Sequence, residues 1–259
     1  MGDLGYYEII LVALAVFGSA VIKNSVGIGA GIFLLPFLAL VFPPKLALGL
    51  GAPAMLISDV VGVRNYWGEW NRRELCLLIP PALAGVFVGV IMIKMVPDAA
   101  FKFGVGILAM LFSSYHLMKS AFGRTYDALN PHGQSQSSAR KSLTILFGFL
   151  GGTASTVIHA GGLVMSIYLL RRPVDKRAFV ATLVPFFAIL NLLKLGAYLE
   201  IGIISSGTAL LVAAMSPVIV FGGWFGNSLN RRFSQDLFRA VVLIIIFLIG
   251  MRLLLNGHR

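Results

Sequence analysis

The chain is a series of long apolar blocks set apart by short polar segments. The first block, Ile9 to Phe42, is 34 nearly uncharged residues, broken midway by Lys23-Asn24-Ser25 and the glycine cluster Gly27-Ile28-Gly29-Ala30-Gly31. One membrane span needs about 20 residues, so this block is too long for one crossing and too short for two. It predicts two half-helices meeting at a polar, glycine-rich break inside the bilayer. Irregular backbone survives at that depth only where it packs in protein or lines a cavity, which makes the break the first candidate site.

Further along, the pattern predicts spans at 46–63, 75–93 and 99–119, then a polar linker at 122–142 containing Asn130-Pro131-His132-Gly133. A second broken block, 143–170, is split around Thr153-Ala154-Ser155-Thr156-Val157-Ile158-His159-Ala160-Gly161-Gly162, and spans at 178–199, 203–226 and 237–255 follow. The expected fold class is an all-α polytopic membrane protein of two repeats, 1–121 and 143–259, each a re-entrant hairpin (9–42 and 143–170) plus three transmembrane helices. The repeat shows in residues: Pro80 with Gly85-Val86-Phe87-Val88-Gly89 recurs as Pro217 with Gly222-Gly223-Trp224-Phe225-Gly226, and Gly31 and Ala47 find counterparts in Gly162 and Ala178.

Basic residues orient the repeats. If the second broken block returns to the side it came from, Lys and Arg divide 14 against 5 between the faces; if it crosses, the division is 9 against 10. The positive-inside rule favours the hairpin and puts linker 122–142 in the cytoplasm. The two halves then enter from opposite faces, the inverted-repeat plan of many secondary transporters. Limbs of about 11 to 16 residues reach roughly 17 to 24 Å into a core about 30 Å thick, so the two tips are expected to overlap near the midplane.

Composition agrees: 58% of residues are hydrophobic, 12% are charged and the mean hydropathy is +0.90. A soluble domain has about 25% charged residues. The net charge of +11 resides between apolar runs without interleaved stacking aromatics, so it marks topology rather than a nucleic-acid surface. The single cysteine, Cys76, excludes an intrachain disulfide and a Cys-based metal site, and reads as core packing. Asp3 and Glu8, with no Lys or Arg before the first block, differ from the basic start of a signal peptide, so that segment is expected to be retained. No cofactor, metal or catalytic group is expected.

Lys23 is a lone ammonium between apolar limbs, where charge costs a few kcal/mol. It attracts an anion, snorkels to an interface, or pairs internally with Asp59. Asn24 and Ser25, beside Gly29 and Gly31 at the start of a half-helix, would complete an anion cradle at a positive dipole end. In the second tip Thr153, Ser155, Thr156, His159 and Gly161 supply hydroxyls, an imidazole and exposed backbone; His159 would carry a coupling proton or donate to an oxyanion, or is a satisfied structural histidine. Asp59 is a proton or sodium site, the partner of Lys23, or an interfacial residue near Arg64. Asn191 occupies a comparable place in the other half, and Lys194 is read as snorkelling toward Glu200. Pro53 and Pro185 fall at near-equivalent positions and are candidate kinks. The two Gly-x-x-x-Gly faces read as packing surfaces, and Tyr66, Trp67 and Trp70 as an interfacial belt.

At Gly27-Ile28-Gly29-Ala30-Gly31-Ile32-Phe33-Leu34-Leu35-Pro36 the chain resembles the sulfite exporter TauE/SafE family, and its length, hydropathy and repeat agree over nearly all its residues. The resemblance implies a bacterial or archaeal inner-membrane transporter of small sulfur-containing anions such as sulfite or sulfonates. Two positions depart from the pattern: Ala30 stands where a third consecutive glycine is common, and no proline follows His159-Ala160-Gly161-Gly162. The expected partners are a small anion, the lipid bilayer, a coupling H+ or Na+, and a second copy of the chain. No Walker-type motif supports ATP coupling. The rivals are an anion channel and an intramembrane enzyme acting on a phosphorylated lipid; the second needs clustered carboxylates, and Asp59 is almost alone. A rhomboid-like protease needs Gly-x-Ser-Gly, which Gly152-Thr153-Ala154-Ser155 does not supply.

Overall fold

The computed structural model describes residues 5–25, 29–126, 137–169, 176–232 and 235–255. They form ten α-helices, with no strand among the described residues: α1 (Tyr6–Ser25), α2 (Ala30–Leu38), α3 (Pro44–Asn65), α4 (Arg72–Met95), α5 (Asp98–Tyr126), α6 (Ser137–Ile158), α7 (Gly161–Leu169), α8 (Lys176–Glu200), α9 (Ser206–Arg232) and α10 (Gln235–Leu255). Lipid offers no hydrogen-bond partner to the backbone, so long apolar blocks close their bonds internally as helices. Among the described residues seven helices, α1, α3, α4, α5, α6, α8 and α9, are long and apolar enough to cross a membrane. The chain is therefore an all-α, multi-pass membrane protein.

The two broken blocks stay helical further toward their breaks than expected. Their limbs are unequal, 20 and 9 residues for α1 and α2 and 22 and 9 for α6 and α7, rather than 11 to 16 each. Lys23, Asn24 and Ser25 remain in the last turn of α1, and Thr153, Ser155 and Thr156 remain in α6, because each polar side chain finds a buried partner that helical backbone does not disturb. Helix resumes at Ala30 behind the left-handed Gly29, and the second break falls at His159, itself left-handed, and Ala160, inside the stretch expected to split that block. A nine-residue limb reaches only about 14 Å and cannot cross alone. Gly27 and Ile28 lie outside the described residues. The linker expected at 122–142 is helical at both ends, up to Tyr126 and from Ser137, and 127–136 lies outside the described residues.

Packing exchanges the halves. α1 lies on α9 and α6 lies on α4; α3 touches α9 as α8 touches α4; α3 pairs with α8, and α5 with α10. Glycines permit the closest approaches. A Cβ on Gly85 would strike the Phe149 carbonyl, one on Gly152 the Ala82 carbonyl, and one on Gly226 the Val21 carbonyl. Both Gly-x-x-x-Gly faces are thus packing surfaces used within one protomer, against α6 and α1.

At the centre α3 and α8 run antiparallel: Gly49 near the start of α3 meets Ile203 just beyond α8, and Gly62 near the end of α3 meets Val184 near the start of α8. Pro53 and Pro185 sit inside this pair. α1 runs alongside α3 in the same direction, its tip level with Met55 and Asp59. The α6–α7 tip arrives from the other end of α3, level with Leu48 and Gly51. The outward faces of α4 and α9 carry exposed Leu83, Phe87, Ile91, Phe221 and Trp224, as lipid-facing surfaces do. Cys76 shares that exposure, against the expectation of core packing, because α4 turns this side outward. Trp67 is exposed and stacks edge-on to Trp70, but Tyr66 is buried against Ala181 and Val184, so it does not belong to an interfacial belt.

Candidate anion site between two helix breaks

The last turn of α1 carries Lys23 into the protein. Its Nζ lies 2.6 Å from Asp59 Oδ1 on α3 and donates to the Met55 carbonyl at 3.2 Å. Asp59 is fully buried, and its Oδ2 accepts from Asn191 Nδ2 of α8 at 2.6 Å. Of the readings open for Lys23, the structure shows the internal pair rather than snorkelling, and the ammonium also lines a cavity. Asn24 donates to the Ala20 carbonyl and to Ser58 Oγ, and Ser25 bonds back to Ile22, so both stabilise the end of α1. Ser19 Oγ donates to the Ala30 carbonyl and fastens α2 to α1.

The second break is organised by His159, whose φ of 54° is left-handed, a conformation histidine adopts more readily than branched residues do. Its Nε2 lies 3.1 Å from the Leu48 carbonyl of α3. A carbonyl only accepts, so Nε2 carries the hydrogen and Nδ1 is left as an acceptor. Lys194 Nζ meets that Nδ1 at 3.2 Å and also lies 3.0 Å from both Ser155 O and Ser155 Oγ. Lys194 is fully buried and does not snorkel toward Glu200. Its three short partners end the lysine inside the protein. Thr153 and Thr156 donate to the carbonyls one turn back, at Phe149 and Gly152, on the side of α6 that packs on α4.

The breaks touch. A Cβ on Gly31 would collide with the His159 carbonyl, and one on Gly51 with the His159 ring. Between them lies a cavity of about 30 Å3 lined by Lys23, Gly29, Ala30, Gly31, Ile32, Met55, Ser155, His159, Gly162, Phe187 and Asn191. Of the residues expected at a site, Lys23, Gly29, Gly31, Ser155, His159 and Asn191 come together here. Asp59 stands behind Lys23, while Asn24, Ser25, Thr153, Thr156 and Gly161 lie outside the lining. Sequence reasoning missed Lys194 as a site residue. Its signal was the spacing of Asn191 and Lys194, three apart and therefore on one face of α8.

The electrostatics favour an anion. Two lysines and one carboxylate are buried around the cavity, a formal excess of one positive charge with His159 neutral. α2 begins at Ala30, behind Gly29 at φ 92° with no side-chain cap, so its first amides face the lining without intrahelical partners. Asn191 Nδ2 is committed to Asp59, which leaves its Oδ1 buried and without a hydrogen-bond partner.

A membrane fold with two interior helix breaks meeting at a cationic cavity defines a class, the solute transporters with discontinuous helices. The chain matches the family described as sulfite exporter TauE/SafE over residues 11–253, nearly its whole length, and belongs to that family. Membership makes it a membrane transporter of the sulfur-anion class, with a small anion and the bilayer as its partners. No curated protein and no solved structure matches the chain.

Proposed function

We propose that the chain is a secondary transporter that exports small sulfur-containing oxyanions, sulfite or organosulfonates, across the inner membrane of a bacterial or archaeal cell by alternating access around the cavity between the two breaks. The observation that carries this reading is the convergence of Lys23, the amino end of α2, Ser155, His159 and Asn191 on one buried space. The antiparallel α3 and α8, the exchange of halves in the packing, and the arrival of the two tips from opposite ends of α3 support inverted repeats, 1–121 and 143–259, and the uneven distribution of Lys and Arg supports a cytoplasmic side for 122–142. A cavity of about 30 Å3 has room for roughly two waters at about 10–15 Å3 each, so a bulkier sulfonate enters when the tips separate. Alternating access supplies that separation, one repeat rocking against the other.

The test is counterflow in proteoliposomes. Vesicles preloaded with sulfite or 2-hydroxyethanesulfonate should exchange it for the labelled anion outside, with saturation, at zero membrane potential and equal pH. Exchange absent for every sulfonate and for sulfite, by protein that remains folded, contradicts the reading; single-channel conductance steps would replace the carrier by a channel.

A further inference from the structure

Anion binding explains Lys23 but leaves a second buried lysine without a task. We propose that Lys194 carries the proton that accompanies the anion, being an ammonium when the cavity holds a monoanion and an amine when the cavity returns without one. This rests on the anion-carrier reading above.

The hydrogen-bond shell of Lys194 suits both protonation states. Lys194 Nζ has three partners, Ser155 O, Ser155 Oγ and His159 Nδ1. An ammonium donates to all three. An amine donates to Ser155 O and His159 Nδ1 and accepts from the Ser155 hydroxyl, so the same shell satisfies both forms with no buried group left over. Lys23 lacks this freedom, because its partners are a carboxylate and a carbonyl.

Ser155 lines the cavity as well as touching Lys194, and it joins the two events. When Lys194 is charged, Ser155 Oγ accepts from it and the Ser155 O–H is free to point at the anion. When Lys194 is neutral, that O–H turns back to the amine. His159 cannot easily take the proton. Its Nε2–H is held by Leu48 O, and while Lys194 is an ammonium its Nδ1 has to remain an acceptor.

Charge balance follows. One proton and one monoanion enter together and leave together; with Lys23 and Asp59 cancelling, the site is neutral loaded and neutral empty, which avoids carrying a bare charge through low-dielectric protein. Among the described residues the titratable groups around Lys194 are His159 from the break, Lys23 from α1, Asp59 from α3 and, one turn on along α8, Tyr198, whose hydroxyl donates to the Thr156 carbonyl. α6 presents Ser155 and Thr156, and α7 opens with two glycines.

The test uses the full-length protein in detergent and 2-hydroxyethanesulfonate, whose charge is fixed over the working range, with binding read by calorimetry from about pH 6 to about pH 10. Kd should weaken by about tenfold per pH unit on the alkaline side, with about one proton taken up per anion bound. Lys194→Met, which has no proton to bind, and Lys194→Arg, whose guanidinium keeps its proton throughout, should each flatten that slope. No binding by the wild type overturns the anion-carrier reading and this inference with it. Binding with a pH-independent Kd overturns the Lys194 assignment alone, as does a slope that persists in either variant. Should the Met variant not fold, the wild-type slope and the Arg variant still decide.

Discussion

Replacing Lys23 by Met separates the electrostatic from the functional role of the buried pair. The fully buried Asp59 carboxylate would retain Asn191 Nδ2 as its one charge-stabilising partner, at 2.6 Å, and lose the ammonium at the same distance. Removing one member of a buried ion pair costs about 3–5 kcal/mol, because a bare charge is left in low dielectric. At about 2–4 °C per kcal/mol for a chain of this size, the melting temperature should fall by roughly 6–20 °C. Lys23→Met combined with Asp59→Asn removes both charges and keeps an amide for Asn191 to meet, so most of that loss should return. The assay is tryptophan fluorescence on heating in detergent, paired with sulfonate counterflow. The double variant should be folded and inactive, because the cation lining the cavity is gone. A single variant within about 1 °C of wild type would show that the pair is not desolvated, and a double variant as unstable as the single one would show that the loss was not electrostatic.

Three further outcomes are expected. Gly31→Ala should cost about 1–3 kcal/mol and stop counterflow, since its Cβ meets the His159 backbone, whereas Gly104→Ala, with open space around the new atom, should leave both measurements unchanged. The unpartnered Asn191 Oδ1 calls for a donor on the ligand, so 2-hydroxyethanesulfonate should bind more tightly than ethanesulfonate by about 1–3 kcal/mol, roughly five- to hundredfold, as read by thermal shift. His159→Val should destabilise the protein by about 1–3 kcal/mol more than His159→Asn, because a branched side chain resists the left-handed backbone that asparagine tolerates; equal melting temperatures would contradict that account.

Hydropathy alone revealed the all-α membrane class and its long apolar helices, because lipid imposes length and apolarity directly on the chain. Lys23 and His159 were legible as polar residues in apolar surroundings. The extent of the helices running into each break was not, since polar residues such as Lys23 and Thr156 look like helix breakers until their buried partners are known. Those partners are Asp59, 36 positions along the chain from Lys23, and the helix's own carbonyls. Lys194 was misread for the same reason: near a helix end, snorkelling and burial look alike, and the three groups that hold it lie 35 and 39 residues away. Cys76 shows the converse, since an apolar run does not say which of its faces meets lipid.

The most direct measurement concerns Ile32, which lines the cavity without belonging to its polar groups. In a Cys76→Ser background, Ile32→Cys should react with an impermeant thiol reagent applied from either side of the membrane, and 2-hydroxyethanesulfonate should slow both reactions. Reaction from one side only, at a rate the sulfonate leaves unchanged, would contradict an anion site opened in turn to the two faces.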